Sequence, residues 1–488
     1  MGDELKVGGY VYLNELFETE ANVLVTGLAT DNRQVKPGDL FVCIKGYTVD
    51  AHRFAPLAQA AGAVAIVCEY EVEGVTIPQI VVESTQLELP RLAHEIYNRP
   101  SETLDLFAIT GTNGKTTTAY ILEHLMKPLT GERGYIGTNG IRYADVIEET
   151  KNTTPDALSL QQLFVRMQEK QVKQVAIEVS SHALELHRVD FCEFKSAIFT
   201  NLTPEHLDFH PTMDEYFEAK YKLFTMLKPE GVAVVNIDDL YGVKLASRCT
   251  QSRLLTFGQS DQADFKFSNI KMNTKGTAFT LQYPNGQLDV QSPLLGLFNV
   301  YNVVGAIAAV YAAGITVEKI VETLQSLICV DGRMELIDAG QDFTVIVDYA
   351  HTPDGVEKVL QFVNDIKTHD VDVVIGCPGD RDRTKRPVIA KLSVDYADKV
   401  IFTTDDPHSE QPEAILDEML SGVTGATYDV VVDRISAIET AINRAKKGDI
   451  VLIAGRGHQR YQYWSSGNIE LDDRKIAKEL IEKRLKAN

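Results

Sequence analysis

An apolar run, a glycine-punctuated turn and a helix-forming run follow one another directly at residues 107–126. The turn, Gly-Thr-Asn-Gly at 111–114, leads into Lys115 and Thr116, while Ile109 stands where the usual pattern has a glycine. This order predicts a buried strand, a tight loop and a helix, a unit of a parallel α/β sheet. Backbone N–H groups of the loop and the positive end of the helix favour phosphate. We predict a nucleotide here, with Lys115 at its terminal phosphates and Thr116 on Mg²⁺.

Strand-like and helix-like segments alternate along most of the chain, for example around strands predicted at 174–179 and 450–454. Such alternation favours parallel sheets with helices on both faces. Because single cores stop growing at about 250–300 residues, we divide the 488 residues into three α/β domains. They are a small α/β domain at 1–100, a central P-loop-type mononucleotide-binding parallel sheet at 101–330, and a Rossmann-like domain at 331–488.

Charge and cysteine content narrow the class of protein. The formal net charge is −21, whereas a nucleic acid or an anionic membrane requires a basic face. The six cysteines are scattered through mostly apolar runs, which indicates reduced, buried thiols and neither a disulfide framework nor a zinc site. No apolar run approaches the roughly 20 residues that span a membrane, and the N-terminus has no signal-like core. We expect a cytoplasmic protein.

Polar residues of the central domain stand out near the ends of predicted strands. Glu178 ends one strand, His206 follows a strand that ends at 201, and Lys220 lies in a helical segment. Ligands of open α/β sheets bind beyond the carboxyl ends of the strands, so these side chains and Thr116 are candidates to surround one or two Mg²⁺ ions. Taken singly, however, a histidine is more often a core or surface residue, and a helical lysine is usually solvated.

Ordered motifs over the full length resemble those of the Mur ligase family, most closely its UDP-N-acetylmuramoyl-tripeptide synthetase (MurE) branch, whose phosphate loop also lacks the glycine replaced by Ile109. The motifs are Thr30-Asp-Asn-Arg33, Pro37-Gly-Asp-Leu-Phe41 and Lys45-Gly46; then Thr153-Thr-Pro-Asp156, Glu178-Val-Ser-Ser-His-Ala183, Arg188-Val189 and Asn299 with Asn302; and finally Gly332-Arg333, Asp348-Tyr-Ala-His-Thr-Pro353, Gly379-Asp-Arg-Asp382 and Gly455-Arg-Gly-His458.

The resemblance implies an ATP-driven peptide ligase of peptidoglycan precursor synthesis. A carboxylate of UDP-MurNAc-L-Ala-D-Glu takes the γ-phosphate, and the amine of a third amino acid then displaces phosphate from the acyl phosphate. The catalytic residues implied are Lys115, Glu178, His206 and Lys220. Two Mg²⁺ sites are implied at Thr116, Glu178, His206 and Lys220. A lysine ammonium cannot ligate a cation, so Lys220 is expected as a CO₂-derived carbamate.

The same resemblance implies that the partners are small-molecule substrates only and that the protein is a monomer. It also implies three sets of binding residues. For ATP they are Gly111, Thr112, Asn113, Gly114, Lys115, Thr116, Thr117, Asn299, Asn302, Arg333 and Asp348. For the UDP-linked substrate they are Thr30, Asn32, Lys45, Thr153, Thr154, Ser180 and Arg188. For the amino acid they are Arg381, Arg383, Asp405, Asp406, His408, Gly455 and Gln459.

The identity of the added amino acid depends on departures from the family motifs. Enzymes of this branch that add meso-diaminopimelate carry Asp-Asn-Pro-Arg, whereas this chain has Asp-Asp-Pro-His at 405–408. A histidine does not reproduce the bidentate fork of an arginine on a carboxylate, and the extra acid, Asp406, suits an ammonium. We therefore expect L-lysine, with ornithine and meso-diaminopimelate as alternatives. A further alternative is that Asp406 and His408 are ordinary loop residues and that specificity lies elsewhere.

Other functions remain open on the sequence. Leu186 and Ala51 replace a glutamine and a glycine common in relatives, so a divergent paralogue with another acceptor is one alternative. Folylpolyglutamate synthase is the nearest enzyme rival outside the Mur ligases, and the motif at 37–41 argues against it. A nucleotide-binding regulator without ligase activity is disfavoured by the intact candidate catalytic residues. A simple P-loop kinase or ATPase leaves the motif at 348–353 unexplained.

Overall fold

The computed structural model describes residues 9–46, 49–205 and 209–487. Its first part contains a four-stranded parallel sheet in the order β3-β4-β5-β6 and a small antiparallel pair, β1 and β2. The strands are β1 Val11–Tyr12, β2 Leu24–Val25, β3 Gly27–Ala29, β4 Asp39–Val42, β5 Ala65–Cys68 and β6 Gln79–Val81. The helices are α1 Leu13–Leu16, α2 Ala55–Ala60, α3 Thr85–Ile96 and α4 Pro100–Thr103, with 3₁₀ turns at Asn32–Gln34 and Ala51–Phe54.

The central part is built on an eleven-stranded sheet in the order β10-β9-β8-β11-β7-β12-β13-β14-β15-β16-β17. The strands are β7 Asp105–Thr110, β8 Glu132–Gly137, β9 Gly140–Tyr143, β10 Val146–Glu148, β11 Val172–Glu178, β12 Phe194–Phe199, β13 Leu227–Asn236, β14 Arg253–Gly258, β15 Phe265–Asn273, β16 Gly276–Tyr283 and β17 Gly286–Ser292. The helices are α5 Lys115–Leu125, α6 Ala157–Glu169, α7 Ser181–Glu185, α8 Met213–Thr225, α9 Leu240–Arg248, α10 Leu297–Ala312 and α11 Val317–Leu324.

The middle of this sheet is parallel and its two edges are antiparallel. Strand β7 lies between β11 and β12, parallel to both, so the loop that follows it opens at the centre of the carboxyl edge. Helices cover both faces, and the strands between them are near-continuous apolar runs, as a sheet buried on two sides requires. On one face Phe107 and Ile109 pack in the cluster that includes Val303 and Ile307 of α10. On the other face, Leu106 and Ala108 of β7 pack in a cluster that includes Phe164 of α6 and Phe217 of α8.

The last part contains a six-stranded sheet in the order β18-β19-β23-β20-β21-β22, parallel except for β18, and a separate hairpin. The strands are β18 Glu335–Leu336, β19 Thr344–Asp348, β20 Val371–Ile375, β21 Lys399–Phe402, β22 Asp429–Val430 and β23 Ile450–Ala454, with the hairpin strands β24 Tyr461–Trp464 and β25 Gly467–Glu470. The helices are α12 Pro353–Ile366, α13 Lys385–Tyr396, α14 Pro412–Leu420, α15 Arg434–Arg444 and α16 Asp473–Ala487.

The predicted class, a three-domain α/β protein with a central parallel sheet, is confirmed. The boundaries near residues 100 and 330 stay predictions; each falls between two sheets. Helix α10 begins at Leu297, so that the buried polar residues Asn299 and Asn302 lie in its first turns. In the described ranges, no helix is both long and apolar enough to cross a membrane.

Candidate active site

The predicted phosphate loop lies between β7 and α5. Its glycines adopt backbone angles that other residues avoid: φ is +146° at Gly111 and +88° at Gly114. A Cβ atom at Gly111 would lie 1.9 Å from Thr200 Oγ1, and one at Gly114 would lie 2.4 Å from Asn302 Oδ1. Both positions therefore require glycine, for conformation and for space.

The tip of the loop is held by the residues that follow β12. Asn113 N–H donates to Asn201 Oδ1 (3.0 Å), and Asn113 O accepts from Asn201 Nδ2 (3.1 Å) and from Thr200 Oγ1 (2.6 Å). Thr112 Oγ1 lies 3.2 Å from the hydroxyl of Tyr216. These contacts fix the loop in the central domain, and those to Asn113 use only its backbone atoms, so its side chain takes no part in them.

Glu178 is fully buried at the end of β11, beside the loop. Its Oε2 accepts from Thr116 Oγ1 (2.9 Å) and Thr138 Oγ1 (3.2 Å), and its Oε1 accepts from Tyr135 OH (2.7 Å) and Thr138 N–H (2.9 Å). Four donors on a buried carboxylate offset the cost of removing it from water. They also place one carboxylate oxygen directly against the Thr116 hydroxyl.

Two lysines point at the same carbonyl of the loop. Lys115 Nζ donates to Gly111 O and Thr112 O (both 2.9 Å), and Lys220 Nζ of α8 donates to Gly111 O (2.9 Å). Lys220 is only 1% exposed, so the sequence expectation that a helical lysine is solvated does not hold for it. Burial lowers the pKa of Lys220 well below its usual range, and the charge of Lys115 lowers it further. Burial also lowers the pKa of Lys115.

The donor set fits a hard cation in part. Thr116 and Glu178 supply adjacent oxygens of the kind that Mg²⁺ prefers, whereas the Lys220 ammonium supplies none. His206 lies outside the described residues. Within the described ranges no group of three or more His, Cys, Asp or Glu side chains could hold a metal ion. Among the described residues, Thr116 and Glu178 therefore support one Mg²⁺ position, and Lys220 could contribute to a second only if it is chemically altered.

A cavity of about 450 Å³ opens from the loop toward the last domain. Central-domain residues on its wall include Asn113, Gly114, Thr117, Asn299 and Asn302. The wall contributed by the last domain includes Arg333, Asp348, Tyr349, His351, Thr352 and Lys358. Seven of the predicted ATP residues thus line one space between two domains.

Arg333 and Asp348 connect the last domain to that cavity. Arg333 Nη2 donates to Thr116 Oγ1 (3.3 Å), while its guanidinium lies over the Tyr349 ring, 4.4 Å from the centroid. Asp348 Oδ2 accepts from Met334 N–H and its Oδ1 accepts from Ala350 N–H, both at 2.7 Å. Burial raises the pKa of Asp348, and the charge of Arg333 opposes that rise.

The predicted residues for the UDP-linked substrate fall into two groups. Thr154 is buried, donates to Glu178 O (2.8 Å), and accepts at its own carbonyl from Arg188 Nη1 (2.9 Å). Ser180 caps α7 by accepting from Ala183 N–H, and Thr153 contacts Thr138 (3.0 Å). The second group follows β3 and β4 in the first sheet: Thr30, Asn32 and Lys45. Carboxyl ends of adjacent parallel strands share an edge, which places this group together.

Three of the predicted amino-acid residues, Arg381, Asp405 and Asp406, lie near Tyr349. Burial raises its pKa, Arg333 and Arg381 lower it, and Asp405 and Asp406 raise it, so these charges surround one ring. Asp405 is buried, and burial together with Asp406 raises its pKa to about 6. Among the residues that the structure describes, its Oδ2 has no hydrogen-bond partner, and it lies where a Cβ at Gly455 would come within 2.4 Å.

The structure corrects the argument made from Asp406. This residue is 3% exposed, and its Oδ1 accepts from Arg456 Nε (3.2 Å). Arg456 is fully buried and also donates to the carbonyls of Leu471 and Tyr461. The extra acid therefore already has a cationic partner inside the protein, and it is not free to select an ammonium on a substrate.

The remaining amino-acid candidates differ in how they are engaged. Arg383 is tied to Glu418, whereas Arg381 is exposed and donates to Asp380 O (3.0 Å). His408 has a left-handed backbone (φ +51°) and stacks on Tyr463. Gln459 N–H donates to Arg456 O (3.0 Å). Of these two described arginines, Arg381 is therefore the one with its guanidinium less engaged and more available for a carboxylate.

A buried ion pair supports the loops of this region. Arg434 donates from Nε and Nη2 to the two carboxylate oxygens of Asp473 (2.9 and 2.8 Å), and both side chains are 0% exposed. We predict that Asp473→Ala lowers the free energy of unfolding by about 3–5 kcal/mol, because it leaves a buried guanidinium unpaired. Urea unfolding measures this. Glu470→Ala, which removes an exposed carboxylate, should change it little, and equal losses would contradict the prediction.

Several site residues escaped the sequence analysis. Thr138, which donates twice to Glu178, follows β8, the parallel neighbour of β11. The rule that ligands gather at strand carboxyl ends could have identified it. Tyr135 carried no comparable signal, and Arg456 stood in a family motif with no indication that it pairs with Asp406, because each contacts the site across a long stretch of sequence.

Comparisons with known proteins agree with this geometry. Three family models match successive parts of the chain: "Mur ligase family, catalytic domain" at 24–98, "Mur ligase middle domain" at 109–310, and "Mur ligase, glutamate ligase domain" at 332–457. They confirm the resemblance inferred from the motifs.

Similar curated proteins span nearly the whole chain. A UDP-N-acetylmuramoyl-L-alanyl-D-glutamate–2,6-diaminopimelate ligase of Bacillus cereus is 46% identical over 470 residues, 95% of each chain, and one of Listeria monocytogenes is 44% identical over 97% of each. A solved structure of a ligase with that name has a TM-score of 0.72 at 32% identity, covering 98% of this chain and all of its own. MurF of Thermotoga maritima with ADP, 19% identical over 94% of this chain and 98% of its own, shares the fold (TM-score 0.65).

Proposed function

Because this chain belongs to the Mur ligase family, we propose that it joins 2,6-diaminopimelate to UDP-MurNAc-L-Ala-D-Glu. As a member of the family it is an ATP-dependent peptide ligase of peptidoglycan synthesis. Its nucleotide substrates place the proposed reaction in the cytoplasm.

The observation that carries the proposal is the contact between Arg333 and Thr116 (3.3 Å). It brings the last domain, with its candidate amino-acid residues, onto the loop that we assign to the phosphates. A simple ATPase transfers phosphate to water and has no need of a domain that closes on its nucleotide to exclude it. A ligase does, because closure excludes water from the acyl phosphate until an amine arrives.

The charges around the loop suit phosphoryl transfer to a carboxylate. Carboxylate and triphosphate repel one another, so the transfer requires cations at the developing charge. Lys115 and Arg333 supply two, and Mg²⁺ held by Thr116 and Glu178 would supply a third. The Glu178 carboxylate, oriented by Tyr135 and Thr138, keeps one oxygen toward that position.

We further propose that Lys220 acts as a carbamate. Attack on CO₂ requires an uncharged amine, and the burial that lowers the pKa of Lys220 favours that form. Its position 2.9 Å from Gly111 O puts the added carboxylate beside the loop, close to Lys115. A carbamate would there balance the charge of Lys115 and supply the oxygen ligand that an ammonium lacks.

Two observations favour 2,6-diaminopimelate as the amino acid over the L-lysine expected from the sequence. That expectation depended on Asp406 as a free acid, and Asp406 is paired with Arg456. The two relatives described above are named for 2,6-diaminopimelate. Arg381 is the guanidinium proposed to meet a carboxylate of the amino acid, since Arg383 is engaged by Glu418.

We predict the outcome of a substrate panel with UDP-MurNAc-L-Ala-D-Glu and ATP. meso-Diaminopimelate should exceed L-lysine and ornithine by about 100-fold or more in kcat/KM, because polar groups built for a second carboxylate are left unpaired by the smaller substrates. Phosphate release gives the rates, and mass analysis identifies the products. Omitting the amino acid or the dipeptide substrate is the control.

Two results would separate the parts of the proposal. Preference for L-lysine would overturn the assignment of the amino acid and leave the ligase reaction intact. Phosphate release that needs neither acceptor would overturn the ligase reaction itself.

A further inference from the structure

The side chain of Asn113 crosses from the phosphate loop to the last domain. Its Nδ2 donates to Asp354 Oδ2 at 2.7 Å, over a sequence separation of 241 residues. Asp354 lies in the first turn of α12, directly after the segment 348–352 that forms part of the cavity wall. Any movement of that wall away from the loop must break this bond.

Other polar contacts cross the same junction at greater distances. Arg333 Nη2 is 3.3 Å from Thr116 Oγ1, Asn139 Nδ2 is 3.4 Å from Asp331 O, and Lys385 Nζ is 3.9 Å from Glu205 Oε1. Of these four contacts, the amide–carboxylate bond to Asp354 is the shortest. A hydrogen bond to an ionised acceptor is about twice as strong as a neutral one.

Asp354 is held in place from its own side. Lys358, one turn further along α12, donates to the same Oδ2 at 2.9 Å. This pair limits the rotation of the carboxylate, and 27% of the Asp354 side chain is exposed. Asn113 is equally constrained, because its backbone N–H and carbonyl are bound by Thr200 and Asn201. Both partners are therefore positioned before they meet.

We propose that Asp354 is a positioning residue that seats the last domain on the phosphate loop through Asn113, so that nucleotide binding and domain closure support each other. This rests on the proposed function, in which the loop binds ATP. A carboxylate in a first helical turn also stabilises its own helix, but Thr352 already caps α12. The bond from Asn113 to Asp354 is not needed to stabilise α12, and it couples the last domain to the phosphate loop.

The test is a double-mutant cycle read by ADP binding with Mg²⁺ in the full chain. Asp354→Ala and Asn113→Ala should each weaken ADP binding by about 10-fold, within the usual range of coupling between sites. The double variant should be no weaker than the single ones, because both remove the same bond. Asp354→Asn, which keeps an acceptor but loses the charge, should fall between Asp354→Ala and the natural chain.

The matched control is Glu413→Ala. Glu413 follows an N-terminal proline in the first turn of α14, as Asp354 does in α12, and it is exposed. Its substitution should leave ADP binding unchanged. Effects of Asp354→Ala and Asn113→Ala that multiply, or an equal effect of Glu413→Ala, would overturn the proposal.

Amide hydrogen exchange provides a readout that does not depend on ligase activity. With Asp354→Asn, exchange should accelerate in segments 111–116 and 348–352 while α14 keeps its protection. Uniform acceleration over the last domain would mean a structural role only and would overturn the proposal. If the natural chain shows no ligase activity but the double-mutant cycle gives the expected result, the proposed function is wrong and this coupling stands.

Discussion

Replacing Lys220 by alanine should lower turnover by about 10³-fold or more, the scale of losses when a group that stabilises developing charge is removed. The reason is that the variant cannot form the carbamate and therefore lacks the oxygen ligand that the carbamate would offer to Mg²⁺. The fold should persist, because the substitution removes a buried charge whose desolvation opposes folding. Phosphate release measures turnover, and thermal unfolding reports the fold. Lys220→Arg should be as inactive, since a guanidinium does not form the carbamate.

Lys222→Ala is the control for this experiment. Lys222 lies two residues further along α8, is partly exposed and pairs with Glu185 at 2.8 Å, so its loss should leave turnover nearly unchanged. Bicarbonate should raise the activity of natural enzyme that has been depleted of CO₂ and should have no effect on Lys220→Ala. An active Lys220→Ala enzyme would remove the carbamate from the mechanism.

Replacing Glu178 by glutamine should lower turnover by about 10²–10³-fold and raise the Mg²⁺ concentration needed for half-maximal rate. The amide keeps the size of the carboxylate and can still accept from Tyr135 and Thr138, so the local structure should be retained. What is lost is the negative charge beside Thr116, where the cation is expected. Titrating Mg²⁺ at saturating substrates separates this effect from a loss of folded enzyme.

Glu169→Gln provides the comparison, because Glu169 is exposed at the end of α6 and distant in sequence from the loop. It should behave as the natural chain in both rate and Mg²⁺ dependence. If Glu178→Gln left the Mg²⁺ dependence unchanged, Glu178 would serve to hold Thr116 and Thr138 in place and would not ligate the metal.

The parts of the site that could be predicted are those determined by residues close together in the sequence. The phosphate loop could be recognised because a strand, two glycines at positive φ and a helix start follow one another within 111–116. Glu178 could be placed because it ends a strand next to that loop. Lys220 was a candidate that the family motif strengthened, but its burial was not predictable, since that depends on which face of α8 packs against the loop.

The argument made from Asp406 shows where reasoning from sequence failed. Asp406 looked like a free acid because its partner, Arg456, lies 50 residues further along the chain. Whether a charge is free or neutralised depends on what is packed against it, and a local motif does not contain that information. His408, read beside Asp406 as one pattern, in fact stacks on Tyr463.

Local order along the chain was thus enough to predict the α/β class, the nucleotide loop and the family to which its motifs belong, because backbone propensity and glycine conformation act over a few residues. The pairing of Asp406 with Arg456, the burial of Lys220 and the bond from Asn113 to Asp354 became evident only with the packed domains. These three depend on contacts between distant segments, where desolvation and charge pairing are set by the whole fold.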